Sequence, residues 1–331
     1  MTKQHTPLLR SFAFIVVAFA LCDSLRLASS QTSDYRLPAA PPNAPKSNCI
    51  PPPLRDQPKV LDTKTFTDGV VAYRGVTFIY GAELASAVIA EKRSASPLEC
   101  DTDKPDGIHP EYIAFIFKGT YAADHDGHLQ KYDSLENESS FFSPPEIGIY
   151  PVEGYKQAFS VSKDMVAWTE KQVKSLRKLS SQRIASFARE IPVLPWIEPS
   201  PDFQTRVKRL AFASGRGIFF LTHYNPDGYA LINNQGMGYL FQGLTSDGRY
   251  YISGLFPVRA QFLPKDRSVE EADGFDPVKE YRPGDTAFKK KYAVYRASVV
   301  KRLKDLSANR YDPDLTSFEK LIGSLKIENQ R

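Results

Sequence analysis

Four β-forming runs between residues 205 and 258 constrain this chain more than any other feature. Residues 207–213, 217–224, 237–244 and 249–258 are rich in aromatic and β-branched side chains, the types that suit a pleated surface. Ser214-Gly215-Arg216 and Ser246-Asp247-Gly248 separate two of the pairs. Asp-Gly is a strong tight-turn signal because glycine reaches positive φ without strain. Asn225-Pro-Asp-Gly228 and Asn233-Asn234 mark a longer connection in the middle. Sequential strands joined this way make an antiparallel meander.

The rest of the chain supplies partners for that sheet. Short strands are expected at 70–73 and 76–80, then a short helix at 82–92. Residues 112–118 (YIAFIFK) alternate with period two, and 146–152 read as another strand. Between them, 122–143 is a polar excursion. From 163 to 190 the pattern turns helical, with Val166, Val173, Leu176, Leu179 and Phe187 on one stripe and a break near Ser180-Ser181-Gln182. Residues 191–201 (IPVLPWIEPSP) form a connector, and 264–283 an acidic loop containing proline and glycine.

Two helices close the chain. Tyr292, Tyr295, Val299, Leu303 and Leu306 repeat at three and four. Asp312 is then the expected N-cap of the second helix, with Pro313 in its first turn and Leu315, Phe318 and Leu321 on one face. Gly323 ends it, and 325–327 add an edge strand. The fold class is α+β: an antiparallel sheet packed against helices in a single layered domain over 60–331.

The amino terminus reads as an address. Lys3 and Arg10 precede an apolar run, 11–22, too short to span a bilayer comfortably. Ala28 and Ser30 place signal cleavage after Ser30, with a cut after Cys22 as the alternative. Leu21 before Cys22 fits lipid attachment poorly. Residues 1–30 are therefore a signal peptide and 31–59 a proline-rich linker. Cleavage removes Lys3, Arg10, Arg26 and Asp23 and takes the formal charge from +5 to +3. No transmembrane span is then expected, and the location is secreted or periplasmic, at a bacterial envelope. Cys49 and Cys100 remain, an even number in an oxidising compartment, so they either form one bridge or stay as two thiols.

Charge spread along the chain argues against a nucleic-acid partner. Asp124-His125-Asp126-Gly127-His128 groups donors suited to a transition metal, yet a polar loop fixes no ligand spacing, so no metal site is assigned. Asp101, Asp103 and Asp106 resemble a calcium loop but lack its fifth-position ligand and its glutamate at the twelfth. No GxSxG serine motif occurs, no cofactor is implied, and no catalytic residue is assigned. His223, in a strand beside Tyr224 and Asn225, is the one conceivable general base. Tyr224, Asn233, Asn234 and Tyr239 offer, with His223, a face for a partner or sugar, against the alternative of packing within the core. The basic helix faces, Lys171 to Lys178 and Lys289 to Lys304, are read as solvated.

The segment FFLTHYNPDGYALINNQGMGYLFQGLTSDGRYYISGLFPV, 219–258, resembles one in a family of exported bacterial proteins and lipoproteins of uncharacterised activity. Its pattern is LTxY…INN…FQGLTxDGxYYV before a proline-ending strand. Residues 75–80, 110–112 and 149–152 extend the likeness, which covers about 66–265. It implies export but transfers no catalytic residue, and Leu21-Cys22 departs from the lipoprotein cysteine motif of several members. A looser analogy links the meander and closing helix to small PsbP-like domains. Together these features point to a non-enzymatic binding or structural module acting on an envelope protein or polysaccharide. The alternative is an envelope hydrolase using His223.

Overall fold

The computed structural model describes residues 59–98, 107–119, 121–123, 129–131, 145–181, 190–195, 201–225, 229–266, 269, 271–282 and 285–328. Strand β1 (Val60–Phe66), the hairpin β2 (Val70–Tyr73) and β3 (Val76–Ile79), β4 (Ala87–Arg93) and β5 (Tyr112–Lys118) come first. A small hairpin of β6 (Tyr121–Ala123) and β7 (Leu129–Lys131) lies within the polar excursion, followed by β8 (Glu146–Pro151). Helices α1 (Val152–Ala158) and α2 (Lys163–Ser181) separate this half from β9 (Thr205–Phe212), β10 (Gly215–His223), β11 (Met237–Thr245) and β12 (Tyr250–Pro257). The chain then runs through β13 (Arg259–Ala260), α3 (Thr286–Asp305), β14 (Tyr311–Asp312), α4 (Leu315–Gly323) and β15 (Lys326–Ile327).

Eight strands form one sheet in the order β1-β4-β5-β8-β12-β11-β10-β9, every neighbouring pair antiparallel. The four ribbons of the meander lie side by side within it, and β8 joins them to the amino-terminal strands. Alternation sends Phe115, Ile147, Phe219, Phe241 and Phe256 to one face, against α3, α4 and a small sheet ordered β15-β3-β2. Ala114, Tyr150, Phe220, Leu240 and Tyr251 go to the other, against α1 and α2. The fold is α+β with both sheet faces covered. Each fully buried phenylalanine here stabilises by about 1.5–3 kcal/mol.

Close packing at the sheet centre demands glycine. Gly217 faces Gly243 in register. A Cβ on Gly217 would lie 2.4 Å from the Phe241 ring and 2.5 Å from the Gln242 carbonyl oxygen. A Cβ on Gly243 would lie 2.6 Å from the same ring, so Phe241 occupies room that two missing side chains leave.

Two expectations need correction. Residues 87–93 are a strand, β4, rather than part of a helix. Val88 and Ile89 are β-branched, and successive residues of this run are buried on opposite faces between β1 and β5. The N-cap of α4 is Asp314, whose carboxylate accepts from the Thr316 amide at 2.8 Å. Asp312 is engaged earlier, in β14, where it pairs with Arg259 of β13. Within α2, Met165 and Thr169 are buried and Val166 only partly, while Phe187 lies outside the described residues. The loop expected over 264–283 contains one helical turn, Pro277–Glu280, capped by Asp276.

A bulge at the start of β9 serves α3. Arg206, at φ +50°, turns its guanidinium to the end of that helix and donates to the carbonyls of Lys304 (3.0 Å) and Leu306. A cation there also suits the negative end of the helix dipole.

Gly217→Val is expected to cost about 3 kcal/mol through overpacking against backbone as well as ring. Urea denaturation of the variant beside the parent measures it.

Candidate functional site

Residues 231–236, which lead into β11, are buried. His223 ends β10 and is 1% exposed. Its Nδ1 lies 2.6 Å from an Asp202 carboxylate oxygen, and its Nε2 accepts the Asn233 amide at 3.3 Å. The neutral tautomer satisfying both carries its proton on Nδ1 and donates it to Asp202. Phe203 stacks along the ring at 6.5 Å between centroids. The backbone at Gly236 closes on the other side, where a Cβ would be 2.4 Å from Nε2. Both nitrogens are thus occupied, and neither has a lone pair left to take a proton from a substrate.

The other expected site residues are also buried, each with a bracing role. Asn233 caps the 3₁₀ turn Asn234–Gly236 through its side-chain oxygen, 3.1 Å from the Gln235 amide. Asn234 receives the Ala260 amide at 2.7 Å and donates to the carbonyls of Ala260 and Leu263. Tyr239 stacks on Phe219 at 4.5 Å and donates to Glu319 of α4 at 3.0 Å. Burial first, and Glu319 second, push its phenol well above the usual tyrosine range. Tyr224 points into the opposite core, beneath α1 and α2. The structure therefore brings His223 and Asn233 into contact, turns Asn234 toward Ala260 and Leu263, and sends Tyr224 to the other face.

Helix α3 is what covers this region. Tyr229 packs edge-on against Tyr292 at 5.1 Å and against Phe288 at 5.4 Å. The Tyr295 hydroxyl accepts the Ile232 amide at 3.0 Å. Nothing in the periodicity of 219–258 reveals that a helix some sixty residues later lies over this loop.

A buried charge cluster escaped the sequence reading. On the α1–α2 face, Arg93 of β4 donates to Glu91 (2.8 Å), to Glu146 of β8 (3.2 Å) and to the Tyr112 hydroxyl of β5 (3.1 Å). Tyr112 stacks on Tyr150 at 4.5 Å. Burial raises the Glu146 carboxyl above its ordinary pKa; Arg93 opposes the shift and Glu91 reinforces it. Burial works against the charge of Arg93, but Glu146, Tyr112 and Glu91 outweigh it and hold the guanidinium more basic than usual. One arginine clamping groups from three adjacent strands fixes their register. The signal was available in the charged triplet Glu91-Lys92-Arg93 that ends an apolar strand.

One cleft of about 140 Å³ opens where the small sheet meets the large one. Val76, Ile113 and Ile149 line it together with Tyr250, and Arg74, Lys92, Glu111 and Glu328 bring both signs of charge. Lys92 pairs with Glu111 at 2.7 Å. Arg74 pairs with Asp62 at 2.8 Å and stands at φ +47° in the tight β2–β3 turn, beside Gly75 at φ +76°. Arginine is an uncommon choice for a left-handed turn position, where asparagine or glycine costs less.

Among the described residues, no three histidine, cysteine, aspartate or glutamate side chains gather to hold a metal ion. Asp124, His125, Asp126 and His128, Asp101, Asp103 and Asp106, and Cys22, Cys49 and Cys100 lie outside those residues. Within them, no helix is long and apolar enough to cross a membrane.

Glu190 is half-buried, with one carboxylate oxygen enclosed and without a hydrogen-bond partner. Burial raises its pKa from 4.5 to about 7. The native state therefore holds this proton more tightly than the unfolded chain, and the associated stability is complete below about pH 4.5 and lost as pH rises through about 7. Glu190→Gln should remove that loss, so the variant gains on the parent between about pH 5 and pH 8. The gain is about 1–2 kcal/mol, well under the full linkage value because the carboxyl is half exposed; thermal melts across that range measure it. No protein-family model, curated protein or solved structure matches this chain, so the roles of its residues rest on their geometry.

Proposed function

We propose that this chain is an exported, non-enzymatic binding module of the bacterial envelope, and that it takes a small end group of a cell-wall polymer in the cleft between its two sheets. The observation that carries the reading is the cleft itself: an apolar floor of Ile113 and Ile149, an aromatic wall at Tyr250, and a rim of both charges. The lining mixes apolar and charged side chains in about equal measure, which suits a small polar group. At about 140 Å³ it suits a single ring or residue rather than a whole chain. A rim bearing Arg74 and Lys92 beside Glu111 and Glu328 complements a group with both an amine and a carboxylate, as on the peptide stems of peptidoglycan. The left-handed turn at Arg74 supports the same reading, because strain of this kind tends to persist where function holds it. Export rests on residues 1–30 and on the likeness of 219–258 to exported bacterial proteins.

The hydrolase alternative gains a carboxylate beside His223 but lacks an open face and a free nitrogen there. His223→Ala is expected to lower stability by about 2 kcal/mol, by stranding Asp202 and the Asn233 amide, and to leave ligand binding unchanged.

Calorimetric titration with soluble peptidoglycan fragments tests the binding role. Binding is expected, weakened about tenfold or more by Tyr250→Ala or Lys92→Ala, with circular dichroism confirming the fold. Absence of binding, or binding that both variants leave intact, would sink the proposal. Release of soluble sugar or peptide that His223→Ala abolishes would establish the hydrolase instead. Edman sequencing of the processed chain should begin at Gln31.

A further inference from the structure

Among the described residues, β1 is the outer strand of the large sheet, laddered to β4 on one side, with the Tyr73 hydroxyl reaching the Asp62 carbonyl at 3.4 Å. Six of its seven residues are exposed, Val60 at 46% and Leu61 at 47%. The opposite edge, β9, is sheltered by contacts with α3 and α4 and carries Arg206, Lys208 and Arg209. An uncovered strand edge presents amide and carbonyl groups ready to pair with a further strand.

The residues of β1, VLDTKTF, are self-complementary about Thr63. Two copies laid antiparallel with Thr63 facing Thr63 place Asp62 opposite Lys64 on each side of the axis, and Leu61 opposite Thr65. Centring instead on Asp62 or on Lys64 would set like charges opposite each other, which destabilises a ladder. A slip of one residue would turn one sheet over and exchange its two covered faces. Directly opposed residues share a face, and Asp62, Lys64 and Phe66 lie on the same one through their pairing with Lys92, Ala90 and Val88. Charge, register and layer order thus select one arrangement, and it is the closed two-fold pairing that most homodimers use.

We propose that β1 joins two copies of this chain through antiparallel strand addition, merging their large sheets across a two-fold axis at Thr63. The register shift between Val60 and Asp62 confines the ladder to its central residues. So short an interface belongs to the weak class, with dissociation constants on the order of micromolar to millimolar.

Sedimentation velocity of the processed chain over a concentration series should show a monomer–dimer equilibrium. Lys64→Asp alone and Asp62→Lys alone should each weaken it about tenfold or more, since both cross-strand pairs become repulsive. Mixing these two variants should restore association, because each then meets its opposite. Asp62 also holds Arg74 and Tyr73, so a second arm avoids it. Under mild oxidation Thr63→Cys should yield a dimer whose bridge maps to position 63 of both chains, and Thr65→Cys should not. A monomer at every concentration, folded variants that fail to re-associate on mixing, or equal cross-linking from both positions would overturn the proposal. Open-ended oligomers would mean that β1 adds to β9 of the next copy, and would overturn it too.

Discussion

A sheet buried on both faces must pair the polar side chains that its own strands carry, and that constraint governs β10 and β11. Every residue of β10 beyond Arg216, and every residue of β11, is buried. The polar ones among them are tied down. Thr222 donates to the Phe203 carbonyl at 2.5 Å, and Gln242 donates to Ser253 at 3.1 Å while accepting from the Leu194 amide at 3.2 Å. Left unpaired at such depth, each would cost about 1–3 kcal/mol. His223 obeys the same demand, which is why an imidazole beside a carboxylate is here a brace.

The meander was legible because its signals are local. Alternation across 205–258 and the Asp247-Gly248 turn are read from residues in immediate succession, and β9 to β12 lie where they point. Strand β4 was not, since Ala87, Val88, Ile89 and Ala90 lack polar alternation when both faces are buried. Strand β1 escaped for the opposite reason: exposed throughout, Asp62-Thr63-Lys64-Thr65 carries no apolar pattern. Asp312 and Asp314 offer equally good caps to α4, and only the pairing of β14 with β13 decides between them.

The cleft is less legible still. Arg74, Lys92, Ile113, Ile149, Tyr250 and Glu328 come from six separate strands or turns, and no spacing links them. By contrast, Tyr224, Asn233 and Tyr239 are neighbours in sequence, yet their side chains serve different parts of the interior. Nearness along the chain suggested a face; the pleat and the covering helix dispersed it. Polar residues adjacent in sequence are therefore weak evidence of a shared surface when the strand bearing them has cover on both sides.

The small sheet has a consequence for biosynthesis. Strand β15 pairs with β3, and Ser324 accepts the Ile79 amide at 2.9 Å across 245 positions of chain. Until the ribosome has released that late segment, Phe78 and the phenylalanines at 115 and 117 lack part of their cover. A nascent chain of this protein thus exposes apolar surface until residues 315–327 have emerged, a state that favours holdase chaperones.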